Sequence, residues 1–99
     1  MADVKRHHIV PGTLVRWTIH GMGGDQVREG RVVAYVPAGR DVRDVYPALR
    51  DLPPSRFRAE LVSQLDRYLV AVQRPSGVVW LYAPPVRVVE VVRGPEEEG

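Results

Sequence analysis

The stretch TLVRWTIHGMGGDQVREGRVVAYVPAG, residues 13–39, decides the fold. Its glycines either cradle a phosphate or bend one strand back on another, and the residues that follow them choose between the two. A phosphate cradle needs backbone N–H groups converging at a helix N-terminus, with a basic residue behind them. After Gly21-Met22-Gly23-Gly24 the chain instead alternates and turns β-branched, with neither a GxGxxG spacing nor a Gly-Lys-Ser/Thr ending. Glycine tolerates positive φ and aspartate supplies turn chemistry, so GMGG reads as a bend. The first strand, residues 13–20, sets Val15, Trp17 and Ile19 on one face, against Leu14, Arg16, Thr18 and His20. The second, residues 27–36, puts Val32, Ala34 and Val36 on one face, and Arg31, Val33 and Tyr35 on the other. Gly30 is placed for a bulge or a sharp bend.

Three more strands follow outward from this hairpin. RYLVAVQR (67–74) is turned by Pro75-Ser76-Gly77 into VVWLY (78–82). Ala83-Pro84-Pro85 interrupts the ladder, because consecutive prolines cannot donate to it. VRVVEVV (86–92) then resumes as a short closing strand. The order resembles the SH3-like small barrel, in which a single helical turn commonly separates the fourth and fifth strands. The expected fold is therefore all-β: an SH3-like barrel of about five strands, with a long insert, 37–66, between strands two and three. A structureless loop of that length is uncommon, so the insert should hold structure of its own. PPSRFRAELVSQL (53–65) predicts a short helix, with Ser55 as N-cap and Phe57, Leu61 and Leu65 as an apolar stripe. The Arg-Asp-Val echo at 40–42 and 43–45 is too short to be a structural repeat.

Ninety-nine residues suffice for one small domain. We assign residues 11–93 to it, with 1–10 as a flexible arm and 94–99 as a disordered acidic tail. The chain has no cysteine, which removes disulfides and thiolate zinc sites. No apolar run approaches the roughly 18–20 residues needed to span a bilayer, and no signal-peptide pattern opens the chain. A cytoplasmic protein with no membrane partner is expected. Net charge is +2, but setting aside Glu96, Glu97 and Glu98 leaves nine acids against 14 cations, a body of +5. Thirteen of those cations are arginine.

Site chemistry is sparse. His7, His8 and His20 are the imidazoles, and adjacent strand residues point to opposite faces, so His7 and His8 do not share an ion. Ser55, Ser63, Ser76, Thr13 and Thr18 lack a nucleophile elbow or an evident base. Asp41, Asp44 and Asp51 each lie within two residues of an arginine, the pattern of solvated ion pairs. Neither an enzyme nor a cofactor is expected.

Two binding readings remain. One is association with nucleic acid or a nucleoprotein complex through Arg16, Arg31, Tyr35, Arg40 and Arg43, on outward strand positions or at the start of the insert. Arginine can fork onto phosphate while an aromatic face stacks a base. The other is a protein-interaction module or accessory factor whose insert presents Tyr46, Leu49 and Phe57 to a protein partner. Against the first, Trp17, Tyr68, Trp80 and Tyr82 lie where a small core needs bulk, and at least two should be buried. Against the second, the insert's apolar residues serve equally well to cap the domain.

Residues 12–85 also resemble a family of short bacterial and phage proteins, often carried by mobile elements. A Gly-x-x-Val-x-Trp-Thr opening matches Gly12, Val15, Trp17 and Thr18. A Gly-x-Val-x-x-x-Val-Pro-Ala-Gly stretch matches Gly30, Val32, Val36, Pro37, Ala38 and Gly39. A Tyr-x-Val strand matches Tyr68 and Val70. The chain departs at Trp80-Leu81-Tyr82-Ala83-Pro84, where such proteins show Tyr-Trp-Pro. The resemblance implies an SH3-like barrel of the KOW type, whose members contact RNA or protein, and a role acting on a host or phage complex.

Overall fold

The computed structural model describes residues 9–95, so most of the predicted arm at 1–10, with His7 and His8, and most of the predicted tail at 94–99 lie outside the described residues. The strands are β1 (Leu14–Gly21), β2 (Gly24–Val36), β3 (Arg67–Gln73), β4 (Val79–Tyr82) and β5 (Glu90–Arg93). They form one open antiparallel sheet in the order β5-β1-β2-β3-β4. The protein is thus mostly β, with five strands, and no closing ladder joins β4 to β5 among the described residues.

GMGG is a bend. The β1–β2 register runs from Leu14↔Arg31 to Gly21↔Gly24, leaving Met22-Gly23 as the turn, and Gly24 takes φ 106°. β2 then serves both halves of the sheet, pairing with β1 up to Arg31 and with β3 from Arg31 to Val36. Gly30 sits at the changeover. A Cβ there would lie 2.3 Å from the Ala71 carbonyl oxygen and 2.9 Å from Val72 Cγ2, so only glycine lets the strands pass. The sheet is strongly rolled. β1 and β4 stand three strand spacings apart, about 14 Å in a flat sheet. Yet the Trp17 and Tyr82 rings meet edge-on with centroids 5.8 Å apart.

The two faces carry separate apolar layers. Tyr68, Val70 and Val72 of β3 point to one layer, the inner, with Val15, Trp17, Val32 and Tyr82, and the layer on the opposite face is the outer. Leu69 and Ala71 point to the other with Val36, Val42, Leu49 and Leu81. Three of the four aromatics expected to supply bulk, Trp17, Tyr68 and Tyr82, are buried. β2 departs from simple alternation. Val32, Ala34 and Val36 do not share a face, because the register shifts between Val32↔Val70 and Ala34↔Leu69 and leaves Val33 as an extra residue. Val32 and Tyr35 therefore serve the inner layer, while Val33, Ala34 and Val36 serve the outer one.

The insert supplies the rest of the outer layer, and its helix is not where the sequence put it. The helix is Val42–Val45 in the first half, capped by Asp41, whose side chain accepts from the Arg43 amide. Two 3-10 turns follow, Pro47–Asp51 and Pro54–Arg56. Beyond Arg56 the rest of the insert forms no helix. Phe57 is extended at φ −104° and ψ 119°, bridges Leu81 of β4, and is followed by Arg58, whose amide donates to the Leu81 carbonyl. Main-chain bonds along β4 outcompete a three-residue apolar stripe, and Leu65 of that stripe is exposed.

The insert is tied shut at its base. Gly39 N–H donates to the Ser63 carbonyl (2.7 Å), Val42 N–H to the Leu61 carbonyl (2.9 Å) and Ala38 N–H to the Asp66 carboxylate (2.8 Å). Arg67, only 4% exposed, donates Nη1 to the Glu60 carbonyl (2.6 Å) and Nη2 to the Leu61 carbonyl (3.2 Å). Burial lowers its pKa against the opposing pull of Glu60. The closing segment also starts later than its valines suggest. Pro84 and Pro85 lead into a 3-10 turn, Val86–Val88, and the strand begins only at Glu90.

Candidate functional site

The five residues expected to contact nucleic acid occupy separate settings. Arg16 is exposed on β1, with Glu29 and Glu90 as its cross-strand partners on either side. Arg31 is half-buried and donates Nη1 to the Gly12 carbonyl (3.0 Å). Tyr35 packs edge-on against Tyr68 with centroids 5.7 Å apart. Burial, then the charge of Asp66 and its hydrogen bond to the phenol, push the Tyr35 pKa up. Tyr68 is raised by burial, offset by the Ile9 amide donating to its oxygen at 2.9 Å. Arg43 forks onto Asp41, and Arg40 is exposed at the start of the insert. Of the residues proposed for a protein partner, Leu49 is 6% exposed while Tyr46 and Phe57 are half-buried, all against the outer layer. The capping role of the insert is therefore real.

A different set of cations is gathered along the inner face of β4. The guanidinium carbons of Arg58 and Arg74 lie 4.6 and 4.5 Å from the Trp80 ring centroid, and that of Arg28 lies 5.7 Å from the Tyr82 centroid. Trp80 and Tyr82 are two apart on β4 and share the inner face. Each cation is positioned by a different element. Arg28 projects from β2 opposite Trp17, and its Nη2 donates to Gln26 at 2.7 Å. Arg58 is held where the insert runs along β4, and Arg74 by the tight turn in which its amide donates to the Val78 carbonyl. Contact with a ring orients a guanidinium while leaving its N–H edge able to donate.

Beside this strip lies a groove of about 290 Å³, lined by Trp17, Ile19, Tyr82, Pro84, Pro85 and Val88, with Arg58 on its rim and no carboxylate in its lining. A second cleft, about 400 Å³, lies inside the insert among Leu49, Leu52, Pro53 and Phe57. Its arginines are paired: Arg43 with Asp41 (2.8 Å) and Arg50 with Asp44 (3.3 Å). Asp41 is held down to about 2 by the Arg43 side chain and then by its backbone amide. His20 Nδ1 lies 2.8 Å from Asp25 Oδ1. Among the described residues no cluster of three ligating side chains could hold a metal, and no helix is long and apolar enough to cross a membrane.

Adjacency along the chain offers pairs such as Arg16-Trp17 and Arg67-Tyr68. Neighbours along a strand point to opposite faces, so those pairs never meet. The signal lay across the turn at 75–77. Trp80 pairs with Val72, which makes Arg74 its diagonal neighbour on the same face. No protein family, curated protein or solved structure matches the chain.

Proposed function

We propose that this protein is a non-enzymatic binding module with an SH3-like rolled sheet, and that its ligand is the phosphate backbone of a nucleic acid, alone or in a nucleoprotein complex. The SH3-like assignment rests on the strand order, the long bent β2 shared between two halves, and the single helical turn before β5. The observation that carries the ligand is the set Arg28, Arg58 and Arg74, three guanidiniums on Tyr82 and Trp80 beside a groove without a carboxylate. By contrast, Arg43 and Arg50 are paired with aspartates. An oriented guanidinium matches phosphate geometry and is weakly hydrated, which favours it over lysine in this role.

Fluorescence anisotropy with labelled DNA and RNA between 50 and 200 mM salt tests this directly. Three phosphate contacts give a log–log slope of about −2 to −3. Replacing Arg58 and Arg74 together by alanine should flatten it by about 1.5, while Arg16→Ala, between two glutamates, should leave it unchanged. Absence of binding at 50 mM salt would sink the reading.

A protein partner on residues 37–66 is the second reading, favoured by the apolar cleft of Leu49, Leu52, Pro53 and Phe57. Under it, Leu52→Asp abolishes capture of a partner that the Arg58/Arg74 double variant still binds.

A further inference from the structure

The groove next to the arginine strip has the character of a slot for one planar apolar group. It lies among three segments: Trp17 to Ile19 of β1, Arg58-Ala59 of the insert, and the run from Tyr82 through the prolines to Val88. Its walls are proline and aliphatic carbon, Thr18, and the small parts of Trp17 and Tyr82 that are not buried, and its one charged lining residue is Arg58. The ring of Trp80, which would otherwise offer a stacking platform, is already engaged by Arg58 and Arg74.

From this juxtaposition we infer that the groove takes an unpaired nucleobase of a single strand whose neighbouring phosphate sits on Arg58. This deepens the proposed phosphate-binding function and rests on it. The charge pattern selects the occupant. A cationic rim with no acid in the lining suits an apolar plane attached to an anionic backbone, and disfavours a cationic peptide. A base in a duplex has its edges paired and its faces stacked, so only an unpaired one can enter. Sequence preference should be weak, because the lining offers apolar surface more than hydrogen-bond partners.

The test compares a thymidine homopolymer with an abasic strand of the same length, which has the same phosphates and no bases. At one salt concentration the base-bearing strand should bind at least about fivefold tighter, the low end of what stacking one base contributes. The salt slopes of the two strands should be equal. Val88→Tyr fills the groove from a position 43% exposed, and should erase the difference while leaving abasic binding unchanged. Equal affinity for the two strands in the unaltered protein overturns the base slot and leaves the phosphate strip standing. Failure of both strands to bind at low salt removes both proposals. A base preference that survives Val88→Tyr in a folded protein places the base elsewhere and overturns the assignment to this groove.

Discussion

The two apolar layers that flank the sheet are made of different material. The inner layer is built almost wholly from strand residues at period two: Val15 and Trp17, then Tyr68, Val70 and Val72, then Tyr82. The outer layer takes only part of its mass from strands, through Val36, Leu69 and Leu81, and completes itself with Val42, Leu49 and their half-buried neighbours in the insert. Alternation and rolling therefore suffice to make the inner core. The outer one exists only because a loop of irregular conformation is tied shut and laid across the strands. Cooperativity should follow the material. Loss of inner packing should unfold the chain, and loss of outer packing should loosen the insert first.

The harshest way to break the comparison is to attack what both layers share. Gly30→Val places a branched side chain against the Ala71 carbonyl and Val72. It should cost more than about 4 kcal/mol, because backbone rather than a movable side chain stands in the way. Loss of a cooperative thermal transition is the expected result. A variant melting close to the parent would mean that β2 and β3 pass with room to spare.

A finer pair of substitutions separates the layers. Val70→Ala, in the inner layer, should cost about 2 kcal/mol and lower protection from amide hydrogen exchange throughout the sheet. Leu49→Ala, in the outer layer, should cost about 3 kcal/mol of local packing. Faster exchange should then be confined to residues 37–66, with β1 and β3 still protected. If Leu49→Ala instead exposes every strand equally, the insert is part of one cooperative unit and the distinction between layers is only geometric.

The same division explains what could be read from the sequence. Five strands, the bend at GMGG and the tight turn at 75–77 were legible because each depends on local alternation and on glycine or proline. The side of β2 on which Val36 and Tyr35 fall was not, because one extra residue at Val33 flips the parity and nothing in the run of valines marks it. The insert misled for a related reason. Phe57 and Leu61 do pack inward, as a helical stripe would require, but an extended chain beside β4 achieves this while the Arg58 amide donates to the Leu81 carbonyl. The arginine strip depends on the hairpin diagonal and on the course of the insert, so only Arg74 and Trp80 could have been paired from sequence.

The smallest effect concerns the start of the insert, where Asp41 caps the helix at Val42–Val45. Its carboxylate accepts from the Arg43 amide at 2.8 Å and from that residue's guanidinium at 3.0 and 2.8 Å. These bonds, side chain first and amide second, lower its pKa from 3.8 to about 2. Since the folded value lies below the unfolded one, the stabilisation is fully present above about pH 4. It fades as pH falls and is gone once pH passes below 2. Asp41→Asn keeps a side-chain oxygen for the cap and removes the charge. Melting temperatures of the two proteins should therefore differ slightly at pH 5 and converge toward pH 2, with the gap at pH 5 narrowing in high salt because the pair is partly exposed. A gap that stays constant down to pH 1.5 would mean that the cap, and not the ion pair with Arg43, fixes this corner of the insert.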